Sequence, residues 1–161
     1  MSHPTVGSSA PDFTLPATGG AYAEGAVVSS RSLLGQTYVL YFYPKDDTPG
    51  CTTENKDFSE LADQFAAAGT ALLGVSKDPP KKHLKFIEKH GLTAPLASDA
   101  GEGGLSDALG FWTEKSMYGR TYMGMVRSTV LVGADGKVAQ VWSPVKVKGH
   151  AAEVLEAAQA L

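Results

Sequence analysis

The stretch that decides the fold is YVLYFYPKDDTPGC, residues 38–51. Its opening part, 38–43, is apolar or aromatic on both faces of an extended chain and stops at Pro44. A continuous apolar run of this length predicts a central β-strand that is covered on both sides. A polar loop with two prolines, 44–50, follows, and Cys51 comes directly after it. The sequence therefore predicts that the Cys51 thiol lies just past a strand–loop junction.

An amphipathic helix is predicted directly after this loop. Its apolar residues recur at i, i+3, i+4, i+7 and i+8, and Gly69 marks its end. These positions are Phe58, Leu61, Ala62, Phe65 and Ala66. Because Cys51 lies two helical turns before Phe58, we expect its side chain to point toward the same inner face. The unpaired N–H groups and the positive dipole end of a first helical turn favour a thiolate there.

The remaining elements alternate in type along the chain. Further strands are predicted at 71–75, 94–97, 128–132 and 137–142. A helix is predicted to begin at Asp78, which precedes two prolines, and others at 105–109 and 154–161. At the N-terminus, 13–15 and 26–29 bracket a turn-prone segment and predict a hairpin.

This order of elements predicts an α/β fold. Alternating strands and helices favour a mainly parallel sheet with helices on both faces, and the hairpin signal Asp135-Gly136 adds an antiparallel edge. We expect a thioredoxin-like fold with an N-terminal β-hairpin extension and a mixed central sheet flanked by helices. Since the length suits one domain and no repeat or linker divides the chain, residues 1–161 are expected to form a single domain.

The composition excludes several functional classes. With a net charge of −3, no broad basic surface is expected, so nucleic acid and anionic membranes are poor partners. No apolar run is long enough to span a bilayer and residues 1–11 lack a signal-peptide pattern, so we expect a cytoplasmic protein. Cys51 is the one cysteine, which excludes an internal disulfide and a multi-cysteine zinc cluster; no cofactor is expected.

The histidines and the paired acids offer no second site in the sequence. The scattered histidines are His3, His83, His90 and His150. Because His83 and His90 are too far apart for an i, i+4 metal pair, solvated side chains are expected. Asp46 and Asp47 are adjacent and so should point in different directions, which disfavours a paired-carboxylate acid–base site.

The loop around the thiol resembles the active site of peroxiredoxins. Pro44-x-x-x-Thr48-x-x-Cys51 matches the signature of that family, and FYPKDDTPGCTTE, residues 42–54, is similar to its bacterioferritin-comigratory (PrxQ) branch. Other segments resemble the same branch in order and spacing: APDFTL at 10–15, GVSKD at 74–78, YGRTYMG at 118–124 and RSTVL at 127–131. The resemblance therefore covers nearly the whole chain.

The resemblance implies roles for four residues, and the position of a fifth, Glu54, three residues after the thiol, predicts a supporting one. Cys51 would be the peroxidatic thiolate, which attacks hydrogen peroxide or an organic hydroperoxide and becomes a sulfenic acid. Thr48 would hydrogen-bond the thiol or the peroxide, and Pro44 would shield the pocket and shape the loop. Arg127 would favour the thiolate and donate to peroxide oxygens, and Glu54 would support the site by capping or ion pairing.

The chain departs from many relatives because it has no second, resolving cysteine. The positions where relatives carry that cysteine are Lys56 or, in others, near Ile87. We therefore expect a one-cysteine mechanism, in which thioredoxin, glutaredoxin or a small thiol reduces the oxidised Cys51. Over-oxidation to the sulfinic acid should compete at high peroxide, and a monomer or a weak homodimer is expected.

Other functions of the same thiol remain open in the sequence. A cysteine hydrolase would need a basic partner, normally histidine, beside the sulfur. A redox sensor or chaperone-like binder on this fold would react with peroxide without turnover. A thioredoxin-type disulfide exchanger is disfavoured because the chain has no Cys-x-x-Cys motif.

Overall fold

The computed structural model describes residues 4–161, so His3 lies outside the described residues. The strands are β1 Thr14–Thr18, β2 Val27–Ser29, β3 Thr37–Phe42, β4 Thr70–Ser76, β5 Leu96–Ser98, β6 Trp112–Met117, β7 Arg120–Met125, β8 Ser128–Val132 and β9 Val138–Trp142. The helices are α1 Pro49–Glu60, α2 Ala62–Ala67, α3 Pro80–His90, α4 Leu105–Ala108 and α5 His150–Gln159, with a 3-10 turn at Arg31–Leu33.

A seven-stranded mixed sheet forms the centre of the molecule, in the order β2-β1-β5-β4-β3-β8-β9. The three inner strands β3, β4 and β5 are parallel, and all the other pairings are antiparallel. The predicted N-terminal hairpin is β1–β2, which extends the sheet beyond β5. The expected thioredoxin-like α/β architecture with a mixed sheet and an N-terminal hairpin is therefore confirmed.

Strand β3 is the buried central strand that its sequence predicts. Leu40 and Phe42 belong to the apolar core on one face of the sheet, and Val39 and Tyr41 belong to the core on the other. The helix after the loop packs on the second face, where the rings of Tyr41 and Phe58 stack with centroids 4.2 Å apart. Helix α1 is thereby held against the second face of β3.

Two of the helix predictions are wrong in detail. The single helix expected up to Gly69 is divided at Leu61 into α1 and α2, because the Leu61 N–H bonds the carbonyls of both Asp57 and Phe58 and tightens the turn there. Asp78 does not cap α3, whose N-cap is Pro79. The Asp78 carboxylate is instead buried and accepts a hydrogen bond from the Ser76 hydroxyl.

A second hairpin, β6–β7, is absent from the predictions. It pairs only with itself among the described strands, and most of its side chains are exposed or half-buried, so it lacks the alternation of a half-buried strand. Its turn is also hard to recognise, since Tyr118 and Gly119 both have positive φ and tyrosine is unusual there. None of the helices in residues 4–161 has the length and apolarity needed to cross a membrane.

Candidate active site

Cys51 is the third residue of α1 and points into the protein. The helix begins at Pro49, with Thr48 as the extended N-cap residue, so the fixed φ of proline suits the first turn. The Cys51 side chain is 1% exposed and shares a buried cluster with Phe58, as the two-turn spacing predicts. A thiolate at this place lies beside the positive end of the helix dipole.

The backbone of Cys51 is fixed from the interior by Asn55. The Asn55 Nδ2 donates to the Cys51 carbonyl at 2.9 Å, and its Oδ1 accepts from the Tyr41 hydroxyl at 2.8 Å. Asn55 is fully buried, and sequence reasoning missed it. Its signal was the i+4 spacing from Cys51, which puts it one turn further along the same face.

Arg127 brings a cation to the sulfur from a different part of the chain. It directly precedes β8, and its Nη2 lies 3.3 Å from Cys51 Sγ. Its Nη1 donates to Glu54 Oε1 at 2.6 Å. A Cβ atom on Gly50 would lie 3.3 Å from Nη2, so the absence of a side chain there leaves room for the guanidinium. The structure therefore brings together Cys51, Arg127 and Glu54.

The electrostatics of this group come from burial and opposing charges. Burial raises the pKa of Glu54 to about 7, although the Arg127 charge and hydrogen bond act in the opposite direction. Glu54 Oε2 is buried without a hydrogen-bond partner, which adds to the cost of ionising the carboxyl. Burial alone would lower the pKa of Arg127, but Glu54 and Cys51 raise it above its usual value. The guanidinium therefore stays charged beside the sulfur.

Thr48 and Pro44 lie on the loop that leads to α1. The Thr48 hydroxyl donates to the Lys45 carbonyl at 2.8 Å, and so closes the loop rather than contacting Sγ. Pro44 is half-buried at the end of the central strand. Their roles toward sulfur and peroxide stay predictions.

The expectation of a solvated side chain is wrong for His83, and His150 is buried as well. His83 is fully buried, with Nδ1 2.6 Å from Asp46 Oδ2. His150 is 6% exposed and its Nε2 lies 2.8 Å from Thr129 Oγ1. His83 shares the inner face of α3 with Phe86 at i+3, and that spacing was the available signal.

The two adjacent acids point in different directions, as expected. Asp46 is 4% exposed and faces the interior, whereas the Asp47 carboxylate forms an ion pair with Lys89 and a hydrogen bond with His90 at the surface. No histidine in residues 4–161 hydrogen-bonds the Cys51 sulfur, so the partner that a cysteine hydrolase needs is not provided there. In the same part of the chain, no three His, Cys, Asp or Glu side chains are grouped to hold a metal ion.

Comparison with known proteins gives a consistent result along the chain. Residues 6–141 match the AhpC/TSA family. Peroxiredoxin Bcp of Xanthomonas campestris pv. campestris is 47% identical over 136 residues, which cover 84% of this chain and 84% of that protein. Peroxiredoxin Bcp of Bacillus subtilis is 42% identical over 151 residues, which cover 94% and 92%.

A solved structure gives the same picture in three dimensions. The bacterioferritin comigratory protein of Xanthomonas campestris, solved in a study of its alkyl peroxide reduction activity, is similar with a TM-score of 0.83 and 39% identity. The match covers 97% of this chain and 98% of that one.

Proposed function

The chain belongs to the AhpC/TSA family, in its bacterioferritin-comigratory branch, and from that premise we propose that Cys51 is its peroxidatic thiol. The protein is a thiol-dependent peroxidase. The observation that carries the assignment of Cys51 is the approach of Arg127 Nη2 to within 3.3 Å of a sulfur in the first turn of a helix. A permanent cation and a helix dipole both favour the thiolate, which is the nucleophilic form.

The first half-reaction oxidises Cys51. The thiolate attacks the terminal oxygen of a hydroperoxide, an S–O bond forms, the O–O bond breaks, and the alcohol or water leaves after taking up a proton. Arg127 is placed to hold the thiolate and to donate to the oxygen on which charge develops. Because a structurally similar bacterioferritin comigratory protein was studied for alkyl peroxide reduction, we include organic hydroperoxides among the substrates.

The neighbouring loop supplies the remaining proposed roles. Thr48, at the N-cap of α1, would turn its hydroxyl from the Lys45 carbonyl toward the peroxide or the sulfur. Pro44 would exclude water from the sulfur side of the loop, since its ring offers no N–H to the pocket. Glu54 would orient Arg127 through the 2.6 Å bond to Nη1.

The second half-reaction needs a thiol from another molecule. Cys51 is the only cysteine, Lys56 is exposed, and Ile87 packs against the apolar core. The sulfenic acid would condense with an outside thiol to a mixed disulfide and water, and a second thiol would then release Cys51 and form the outside disulfide. Thioredoxin, glutaredoxin and small thiols are the candidate reductants.

Intact-mass measurement and turnover test this function together. After stoichiometric peroxide, the reduced protein should gain one oxygen on Cys51, or one thiol adduct if reductant is present. Turnover with a panel of thiol reductants should vanish in Cys51→Ser and persist in Lys56→Ala. An unmodified thiol would overturn the assignment, and oxidation without turnover by any reductant would identify a redox sensor.

A further inference from the structure

The loop before Cys51 is fixed to the rest of the protein by a buried polar network in which none of the reacting groups takes part. Asp46 Oδ1 accepts from the Tyr43 hydroxyl at 2.6 Å, and Asp46 Oδ2 lies 2.6 Å from His83 Nδ1. The Asp46 backbone N–H donates to Asp78 Oδ2 at 2.9 Å. Asp46 is 4% exposed and His83 is 0% exposed, so water does not compete for these bonds.

Both ring nitrogens of His83 are hydrogen-bonded. Its Nε2 lies 3.0 Å from the Ala97 carbonyl oxygen, which only accepts, so Nε2 carries a hydrogen. The other ring nitrogen, Nδ1, shares a hydrogen bond with Asp46 Oδ2. The ring therefore joins the loop to β5 through two hydrogen bonds, and neither group is left unpaired in the interior.

This network is built at the edge of the sheet where the parallel strands end. Tyr43 follows β3, Asp78 follows β4, and Ala97 lies in β5. Asp46 is thereby connected to the carboxyl ends of all three parallel strands, and through His83 also to α3. Since only Asp47 separates Asp46 from Thr48, the N-cap residue of α1, the position of Asp46 constrains where that helix begins.

The next residue makes a second connection to the same helix, but at the surface. The Asp47 carboxylate lies 2.8 Å from Lys89 Nζ and 2.9 Å from His90 Nε2. Its φ of 61° is in the left-handed region, and this reversal turns Asp46 inward and Asp47 outward. The strained backbone is held from both sides, as is typical of functional loops. The surface pair also offers a matched control, because it joins the same loop to the same helix.

We propose that Asp46 and His83 are positioning residues for the peroxidase reaction, because their buried contact holds the first turn of α1 where the Cys51 sulfur meets Arg127. The proposal rests on Cys51 being the reacting thiol. With the contact gone, the loop keeps the Asp46 N–H bond to Asp78 and its surface ties, but it loses the link through His83 to α3 and β5. The sulfur then no longer has a fixed distance to the guanidinium. A small misplacement of a reacting group costs up to about a hundredfold in rate.

The test compares Asp46→Ala, His83→Phe and the double variant with the parent protein. His83→Phe keeps an aromatic ring but leaves Asp46 Oδ2 without its hydrogen-bond partner. The double variant removes the Asp46 carboxyl as well, so it guards against a single variant that fails to fold. Stopped-flow kinetics would give the rate constant with hydrogen peroxide, and thiolate absorbance would follow the ionisation of Cys51. Urea unfolding would establish that each variant is folded.

The double variant should react about ten- to a hundredfold more slowly than the parent, and its thiolate absorbance should develop at higher pH. A single variant that folds should lose about as much as the double variant, because either change breaks the same contact. His90→Ala should keep the parental rate and titration.

Failure of this positioning proposal and failure of the proposed function would give different results. Parental kinetics in the folded double variant would overturn the proposal, as would losses that add independently or a slower rate with an unchanged thiolate titration. A parent protein whose Cys51 does not react with peroxide would overturn the proposed function instead.

Discussion

The buried carboxyl of Glu54 makes the stability of the protein depend on pH in a direction opposite to that of most acidic residues. Glu54 is 1% exposed, Oε1 meets Arg127 and Oε2 has no partner. Burial raises its pKa from 4.5 to about 7 despite the nearby cation. The informative perturbation is Glu54→Gln, made in a Cys51→Ser background so that the thiol neither oxidises nor titrates.

The sign follows from proton binding in the two states. Between pH 4.5 and about 7, the folded protein keeps a proton on Glu54 that the unfolded chain has released. The stability from this proton is fully present below 4.5, the pKa of Glu54 in the unfolded chain, and is lost as the pH rises through about 7, its pKa in the folded protein. A rise from 4.5 to about 7 corresponds to about 3 kcal/mol. Glutamine has no such dependence.

Urea unfolding at a series of pH values measures this difference directly. The free energy of unfolding of the Glu54→Gln variant, minus that of its Cys51→Ser parent, should increase by about 3 kcal/mol between about pH 4 and pH 8. Other titrating groups, such as His150, cancel in the difference. Glu60→Gln makes the same chemical change at an exposed carboxyl of the same helix and serves as the matched control. A flat or decreasing difference for Glu54→Gln would refute the reasoning.

Three further outcomes are expected. Arg127→Ala should slow the oxidation of Cys51 about 10²- to 10³-fold in stopped-flow kinetics, because a donor to the developing oxygen charge is lost, and a parental rate would refute its role. Burial lowers the pKa of His150 to about 4, so the protein loses stability as the pH falls from 6.5 toward 4. In His150→Gln, the urea midpoint should therefore depend less steeply on pH in this range, and an unchanged slope would contradict this. Gly74→Ala places a Cβ atom 2.7 Å from a ring carbon of Tyr41 in the core and should lower the free energy of unfolding by about 1–3 kcal/mol, whereas a parental urea curve would show that the core relaxes.

The elements that the sequence predicts well are those whose own side chains decide their burial. Residues 38–42 are apolar or aromatic throughout, and so they form a strand that is covered on both faces. The inward direction of Cys51 follows from its spacing to Phe58 on the same helix. In these cases the periodicity of the segment and its tertiary environment require the same structure.

The parts that could not be predicted depend on partners far away in the chain. Asp46 and His83 are 37 residues apart. The spacing of His83 to Phe86 indicates an inward side chain, but nothing near either residue identifies the partner of the other. An aspartate and a histidine are each expected to be solvated when only their own segments of sequence are considered. The β6–β7 hairpin has a different cause. Most of its side chains stay exposed or half-buried, so its sequence carries no alternating hydrophobic pattern.

The burial of Cys51 places opposing demands on the two halves of the catalytic cycle. In the proposed cycle, oxidation would benefit from a sulfur fixed by Asn55 from within and by the cation of Arg127, and a peroxide is far smaller than a protein reductant. Reduction needs an outside thiol to align with the same sulfur, which a bulky reductant achieves only if the first turn of α1 moves aside. A resolving cysteine in place of Lys56 or near Ile87 would belong to the same chain as Cys51. This chain has neither, so each turnover would require a thiol from a second molecule. Contacts that speed oxidation by holding α1 in place therefore oppose reduction, and we infer that access of the outside thiol limits turnover.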